Sequence, residues 1–183
     1  MSINVEIDPD SGFCAGVKRA IRLAERELKL SGSLYCLGEI VHNHSELERL
    51  KDMGLKVIDN DAFRKLHHVK VLVRAHGEPP EIFKIAEENQ IEIINATCPI
   101  VSKLQLKIRT DYQEARVKGG NIVIYGKKDH PEVRALIGQT ESTAKVIKEM
   151  ADFEDAWLEE PVYLYSQTTM NHQGYEKLVS EIS

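Results

Sequence analysis

No stretch of this sequence is apolar for long enough to cross a bilayer. Its first residues, Met1 to Asp10, alternate in character and lean acidic, with no basic and then apolar leader. Both absences point to a cytoplasmic protein without a membrane partner. Cysteine is scarce: Cys14, Cys36 and Cys98 make an odd number, too widely spaced for a disulfide framework. A basic surplus is lacking as well, since 24 lysines and arginines face 29 aspartates and glutamates, intermixed, for a net charge of −5. That excludes a general nucleic-acid binder, and any anion must be held by a local site. No nucleotide-binding P-loop, Rossmann glycine fingerprint or Cys-x-x-Cys pair occurs. What is present, 42% hydrophobic and 29% charged residues in a chain of 183, is the balance of an ordinary globular protein of one domain or two small ones.

Strand and helix signals alternate along the chain. Ile3, Val5 and Ile7 alternate with polar neighbours as a strand does, and Val17, Ala20, Ile21, Ala24 and Leu28 then share one helical face. Apolar runs at Leu34–Leu37, Val69–Val73, Ile91–Ile94, Asn121–Tyr125 and Val162–Tyr165 read as further strands. Pro79 and Pro80 suit the first turn of a helix carrying Ile82, Ile85 and Ala86, and a longer helix runs from Val101 through Leu104, Ile108 and Tyr112 to Gly119. Such alternation predicts an α/β fold with mostly parallel sheets, whose ligands sit at the carboxyl ends of the strands.

Polar residues mark those ends in the same order twice: Cys14, His42 and His76, then Cys98, His130 and Thr168. Corresponding members lie 84, 88 and 92 residues apart, a period that is one small α/β unit. Two similar units are therefore expected, 1–95 and 96–183, each turning a cysteine and two polar side chains toward one centre. Cys14 sits where a glycine-containing turn enters a helix and Cys98 at a helix N-cap before Pro99, positions that favour thiolate. Alone, Cys14 reads better as a compact buried residue than as a ligand. Two cysteines at equivalent places favour ligation of zinc or an iron–sulfur cluster. Cys36, inside an apolar run without a repeat partner, belongs to the core. His67, His68 and His172 read as surface residues, and His44 can open a helix. Glu132, two residues after His130, is a candidate acid, although a carboxylate in a first helical turn is also favoured by the dipole alone.

Gly12-Phe13-Cys14-Ala15-Gly16-Val17, Glu39-Ile40-Val41-His42-Asn43, Ala75-His76-Gly77, Ala96-Thr97-Cys98-Pro99, His130-Pro131-Glu132-Val133 and Gln167-Thr168-Thr169 together resemble, in order, the motifs of the 4-hydroxy-3-methylbut-2-enyl diphosphate reductase family. The resemblance implies three similar α/β domains in pseudo-threefold arrangement around a 4Fe-4S cluster, of which this chain matches two. It implies an oxidoreductase of the non-mevalonate isoprenoid pathway, which reduces an allylic diphosphate to isopentenyl and dimethylallyl diphosphate with electrons from ferredoxin or flavodoxin. By the same resemblance, Cys14 and Cys98 are metal ligands and His42, His76, His130 and Thr168 bind substrate. His130, Glu132 and Thr168 carry the proton chemistry, with Glu132 as donor. A third unit, with the third cysteine, is expected to be missing past Ser183. The chain alone should then hold a cluster poorly and turn over poorly, as a monomer or homodimer. The alternative is a non-catalytic diphosphate- or metal-binding module.

Overall fold

Three residues of one strand, Val71, Leu72 and Val73, are completely shielded from solvent, which requires packing on both faces of a sheet. The computed structural model, which describes residues 4–6, 8, 11–152 and 161–182, provides those two layers. The first run of elements is α1 (Ala15–Ser31), β1 (Leu34–Leu37), α2 (His44–Asp52), β2 (Leu55–Ile58), α3 (Asn60–Phe63), β3 (Lys70–Val73), α4 (Pro80–Glu88) and β4 (Glu92–Asn95). Its strands form one sheet in the order β2-β1-β3-β4. The second run is α5 (Pro99–Lys118), β5 (Asn121–Tyr125), α6 (Pro131–Gly138), β6 (Lys145–Ile147), a 3-10 turn at Met150–Asp152, β7 (Val162–Ser166) and α7 (His172–Ile182). Its sheet has the order β6-β5-β7. Among the described residues all strand pairs are parallel.

The same plan is used twice. In each sheet the first strand of the run is flanked by the second and third. In the first sheet, Ala20, Ala24 and Leu28 of α1 and Leu47 and Leu50 of α2 pack with Cys36 and Leu72 on one face. Phe63, Ile82 and Ala86, from α3 and α4, pack with Leu37 and Val71 on the other. In the second, Ile108, Tyr112 and Ala115 of α5 join Val133 and Leu136 of α6 over Ile122 and Ile124. Leu178 and Tyr175 of α7 cover Val123, Tyr125 and Ile147 on the opposite face. Each fully buried Leu, Val or Ile contributes about 1.5–3 kcal/mol.

The helix boundaries follow the expected signals. Both long helices end on a left-handed glycine, Gly32 (φ 71°) and Gly119 (φ 79°), whose N–H closes on Leu28 and Ala115. Asn43 caps α2 by accepting from the Glu46 N–H at 3.0 Å. Cys98 is the N-cap of α5 and Pro99 its first residue. The strand expected across Ile3, Val5 and Ile7 falls partly outside the described residues, and the described part, 4–6, is not in a strand. No helix among the described residues is long and apolar enough to cross a membrane.

Candidate active site

Parallel strands send all their carboxyl ends to one edge, so side chains far apart in sequence meet there. Cys14 and Cys98 are both helix N-caps, and neither side chain caps its helix by a hydrogen bond, which leaves both thiols uncommitted. They flank one point. A Cβ placed on Gly16 would lie 2.9 Å from Cys98 Sγ and 3.9 Å from Cys14 Sγ. Arg19, one turn into α1, donates to the carbonyls of Thr97 (3.4 Å) and Asn95 (3.3 Å), joining the Cys14 helix to the Cys98 loop. Asn95 in turn accepts from the Thr97 N–H at 3.0 Å and from its hydroxyl at 2.6 Å, shaping the turn that presents Cys98.

The imidazoles stand beside this pair. The Cys98 N–H donates to the carbonyl of Ala75, one residue before His76. His76 packs against His42 with ring centroids 6.0 Å apart, and edge-on against His130 at 5.2 Å. His42 follows β1, His76 follows β3 and His130 follows β5, so the two sheets meet at this cluster. Burial, assisted by the Arg74 guanidinium and the neighbouring imidazoles, pushes His76 down to about 4. Burial lowers His130 as well. Both rings are therefore neutral near pH 7. His130 Nδ1 accepts from the Glu132 N–H at 3.2 Å, which puts the remaining ring proton on Nε2. His76 Nδ1 is buried without a hydrogen-bond partner.

Glu132, in the first turn of α6, is 2% exposed. Its two oxygens accept from the Thr168 N–H and hydroxyl, each at 2.7 Å. The acid of one strand end is thus clamped by the hydroxyl of another. Gln167 ties the β5 and β7 loops together: its Oε1 accepts from the Lys127 N–H at 3.1 Å and its Nε2 donates to Thr169 Oγ1 at 2.7 Å. In the sequence Gln167 stands out only as a member of the Gln167-Thr168-Thr169 motif, with no role of its own. Its 2% exposure is what marks it, and its one legible signal is a place next to Thr168.

The remaining sequence candidates separate as their settings dictate. Cys36 is fully buried in the first core, where desolvation pushes its thiol up to about 12. Brief iodoacetamide treatment at pH 8 should therefore modify Cys14 and Cys98 and spare Cys36, read by peptide mass spectrometry. Equal modification of all three would contradict this burial. His67, His68 and His172 are exposed. His44 opens α2.

Two charged residues that sequence reasoning did not single out adjoin the cluster. Glu78 is nearly buried beside Arg74, and desolvation raises its carboxyl to about 6 against an ordinary value of 4.5. The folded state thus binds an extra proton at Glu78, and that stabilisation is lost as pH rises through about 6. His76 acts oppositely: its neutral form stabilises the fold above 6.5, and that contribution is lost as pH falls toward about 4. Glu78→Gln should therefore leave stability climbing more steeply with pH between 4.5 and about 6, by at most about 1.4 kcal/mol per pH unit. Denaturant titrations with identical slopes in both proteins would refute this assignment.

Fold and site together define an α/β protein of two parallel sheets that gathers thiols, imidazoles and a clamped carboxylate at one edge. The family described as LytB protein matches residues 5–183. The chain belongs to the LytB family. It is 52% identical over 182 residues to the 4-hydroxy-3-methylbut-2-enyl diphosphate reductase of Porphyromonas gingivalis, covering 99% of this chain and 63% of that protein. A reductase of the same name from Parabacteroides distasonis is 52% identical over 180 residues, covering 98% and 62%. A solved structure of (E)-4-hydroxy-3-methyl-but-2-enyl diphosphate reductase, described as the terminal enzyme of the non-mevalonate pathway, superposes with a TM-score of 0.79. It is 34% identical, over 93% of this chain and 60% of that one. The Plasmodium falciparum E-1-hydroxy-2-methyl-but-2-enyl-4-diphosphate reductase gives 0.83 at 27% identity, over 95% and 54%. The chain thus spans about three fifths of the length of the curated relatives it matches, from 62% to 63%.

Proposed function

We propose that this chain forms the substrate-holding part of a 4-hydroxy-3-methylbut-2-enyl diphosphate reductase. One observation carries the reading: two uncommitted thiols flank a single point, and the loop of one is hydrogen-bonded beside three packed imidazoles. The reaction breaks an allylic C–O bond, takes up two electrons and two protons, and releases water with isopentenyl or dimethylallyl diphosphate.

The thiols fit two ligands of an iron–sulfur cluster, because they are aimed at one place and Gly16 leaves room between them. When bound, a 4Fe-4S cluster supplies the electrons and an iron with Lewis acidity. Among the described residues no group of three or more His, Cys, Asp or Glu is arranged to hold a metal ion. We assign the third ligand to the part of the family's length that this chain does not span. We divide the chain itself into units 1–95 and 96–183.

Imidazole N–H groups can donate to phosphate oxygens, which suits His42 and His76 to the diphosphate. His130, with its proton on Nε2, faces the hydroxyl end. Thr168 orients the hydroxyl, and Glu132, held by Thr168, protonates the departing oxygen so that it leaves as water. Ferredoxin or flavodoxin in the cytoplasm serves as electron donor to a monomer or homodimer.

The test is to add inorganic pyrophosphate to the isotopically labelled chain, then reconstitute anaerobically with iron and sulfide. Ring signals of His42, His76 and His130 that move with pyrophosphate, and iron bound in proportion to intact Cys14 and Cys98, are expected. Unmoved rings together with iron uptake indifferent to either cysteine would overturn the reading.

A further inference from the structure

Arg74 and Gly38 are the first residues beyond a paired strand end: Leu37 of β1 is in register with Val73 of β3. Their loops carry His42 and His76. Gly38 is left-handed, φ +73°, and a Cβ there would lie 2.5 Å from Arg74 Cζ and Nη1 and 2.9 Å from Nη2. The guanidinium therefore lies flat across the Gly38 backbone, in space that any other residue's side chain would take. Opposite it, Glu78 Oε1 is 3.7 Å from Arg74 Nε. Both side chains are largely enclosed, at 14% and 10% exposure, and Nε has no hydrogen-bond partner.

A desolvated, loosely paired guanidinium is not an efficient stabilising element, since a buried pair recovers its desolvation only with good geometry and satisfied donors. Its placement does accomplish something else. It fills the gap between the β1 and β3 loops, where Gly38 stands four residues before His42 and Arg74 two before His76, and those two rings are 6.0 Å apart. The backbone around it is fixed too, because the Gly77 N–H closes a turn on the Arg74 carbonyl at 3.0 Å.

We propose that Arg74 is a positioning residue that sets the spacing of His42 and His76 by wedging its flat guanidinium against Gly38. The inference rests on the reading of those two imidazoles as the diphosphate-binding groups. The titratable and charged groups facing His76 are Arg74, His42 and His130, and those facing Glu78 are Arg74 and Arg134. The cation also helps keep His76 neutral. A lysine would retain that charge but, as a compact ammonium on a flexible stem, could not lie flat over Gly38.

The experiment compares the wild-type chain with Arg74→Lys, Arg74→Met and Glu78→Gln by imidazole NMR, thermal unfolding and calorimetric titration with inorganic pyrophosphate. Both Arg74 variants are expected to shift or broaden the His42 and His76 ring signals and to weaken pyrophosphate binding about tenfold. Failure of lysine to rescue is the signature, since a purely electrostatic role would be restored by it. Wild-type ring signals and affinity in Arg74→Lys would overturn the proposal, as would variants altered in thermal stability alone. If Arg74→Met does not fold, Arg74→Lys still decides. If the wild-type chain binds no pyrophosphate, the diphosphate reading fails while the ring signals still decide the role of Arg74.

Discussion

Gly16→Ala is expected to disable the thiol pair while leaving the fold in place. The position is the second residue of α1, with ordinary helical backbone, where alanine is a better helix former than glycine by about 1 kcal/mol. The new Cβ would meet Cys98 Sγ at 2.9 Å and Cys98 Cβ at 3.1 Å, so Cys98 must retreat by about 0.5 Å or more. Overpacking of this kind costs about 1–3 kcal/mol, which the helix gain partly offsets. Capture of two thiols at once tolerates such a shift poorly. A dithiol-bridging arsenical should react about ten- to a hundredfold more slowly with the variant. Monothiol alkylation of Cys14 should be unchanged. Bridging at the wild-type rate would show that Cys14 and Cys98 do not act at a common point.

Two substitutions at Glu132 should part company. Glu132→Ala deletes a buried side chain and both acceptors of Thr168, at a combined cost of about 2–4 kcal/mol. Thermal unfolding should fall by about 5–15 °C for a chain of this size. Glu132→Gln keeps the shape. Its amide oxygen can still accept from the Thr168 N–H and its NH2 can donate to Thr168 Oγ1, so stability should stay within about 1 kcal/mol of wild type. An amide cannot deliver a proton, however. In the reductase proposed for this chain, completed by the part of the family's length that it does not span, turnover with a reduced donor should drop by about 10²–10⁴. Wild-type turnover in Glu132→Gln would remove Glu132 from the proton chemistry.

Much of the framework is legible because burial is periodic. Val71 to Val73 and Ile122 to Tyr125 are continuous apolar runs, since parallel strands are covered on both faces. Ala20, Ala24 and Leu28 mark the inner face of α1. The short strands β2 and β6, four and three residues long at sheet edges, escape such a reading. Lys56 is exposed between buried Leu55 and half-buried Val57, and a run that short gives periodicity too little to work on. Among the site residues, Cys14, Cys98 and the strand-end histidines are visible as a repeated order. Gln167, Glu78 and Arg74 are not, because what distinguishes them is burial and the contacts they make in the folded chain, and neither leaves a mark on local sequence.

The sequence by itself determined the alternation of strands and helices, the residue types at the strand ends and their twofold recurrence. Each of these is written in spacings of a few residues, where side-chain periodicity and capping chemistry operate. Only the tertiary structure decided that Cys14 and Cys98 share one point across Gly16, that burial holds His76 neutral, that Thr168 grips Glu132, and that Arg74 lies on Gly38. Those relations join residues whose separation in space is set by how sheets and helices pack, and packing is fixed by the whole core rather than by any one segment.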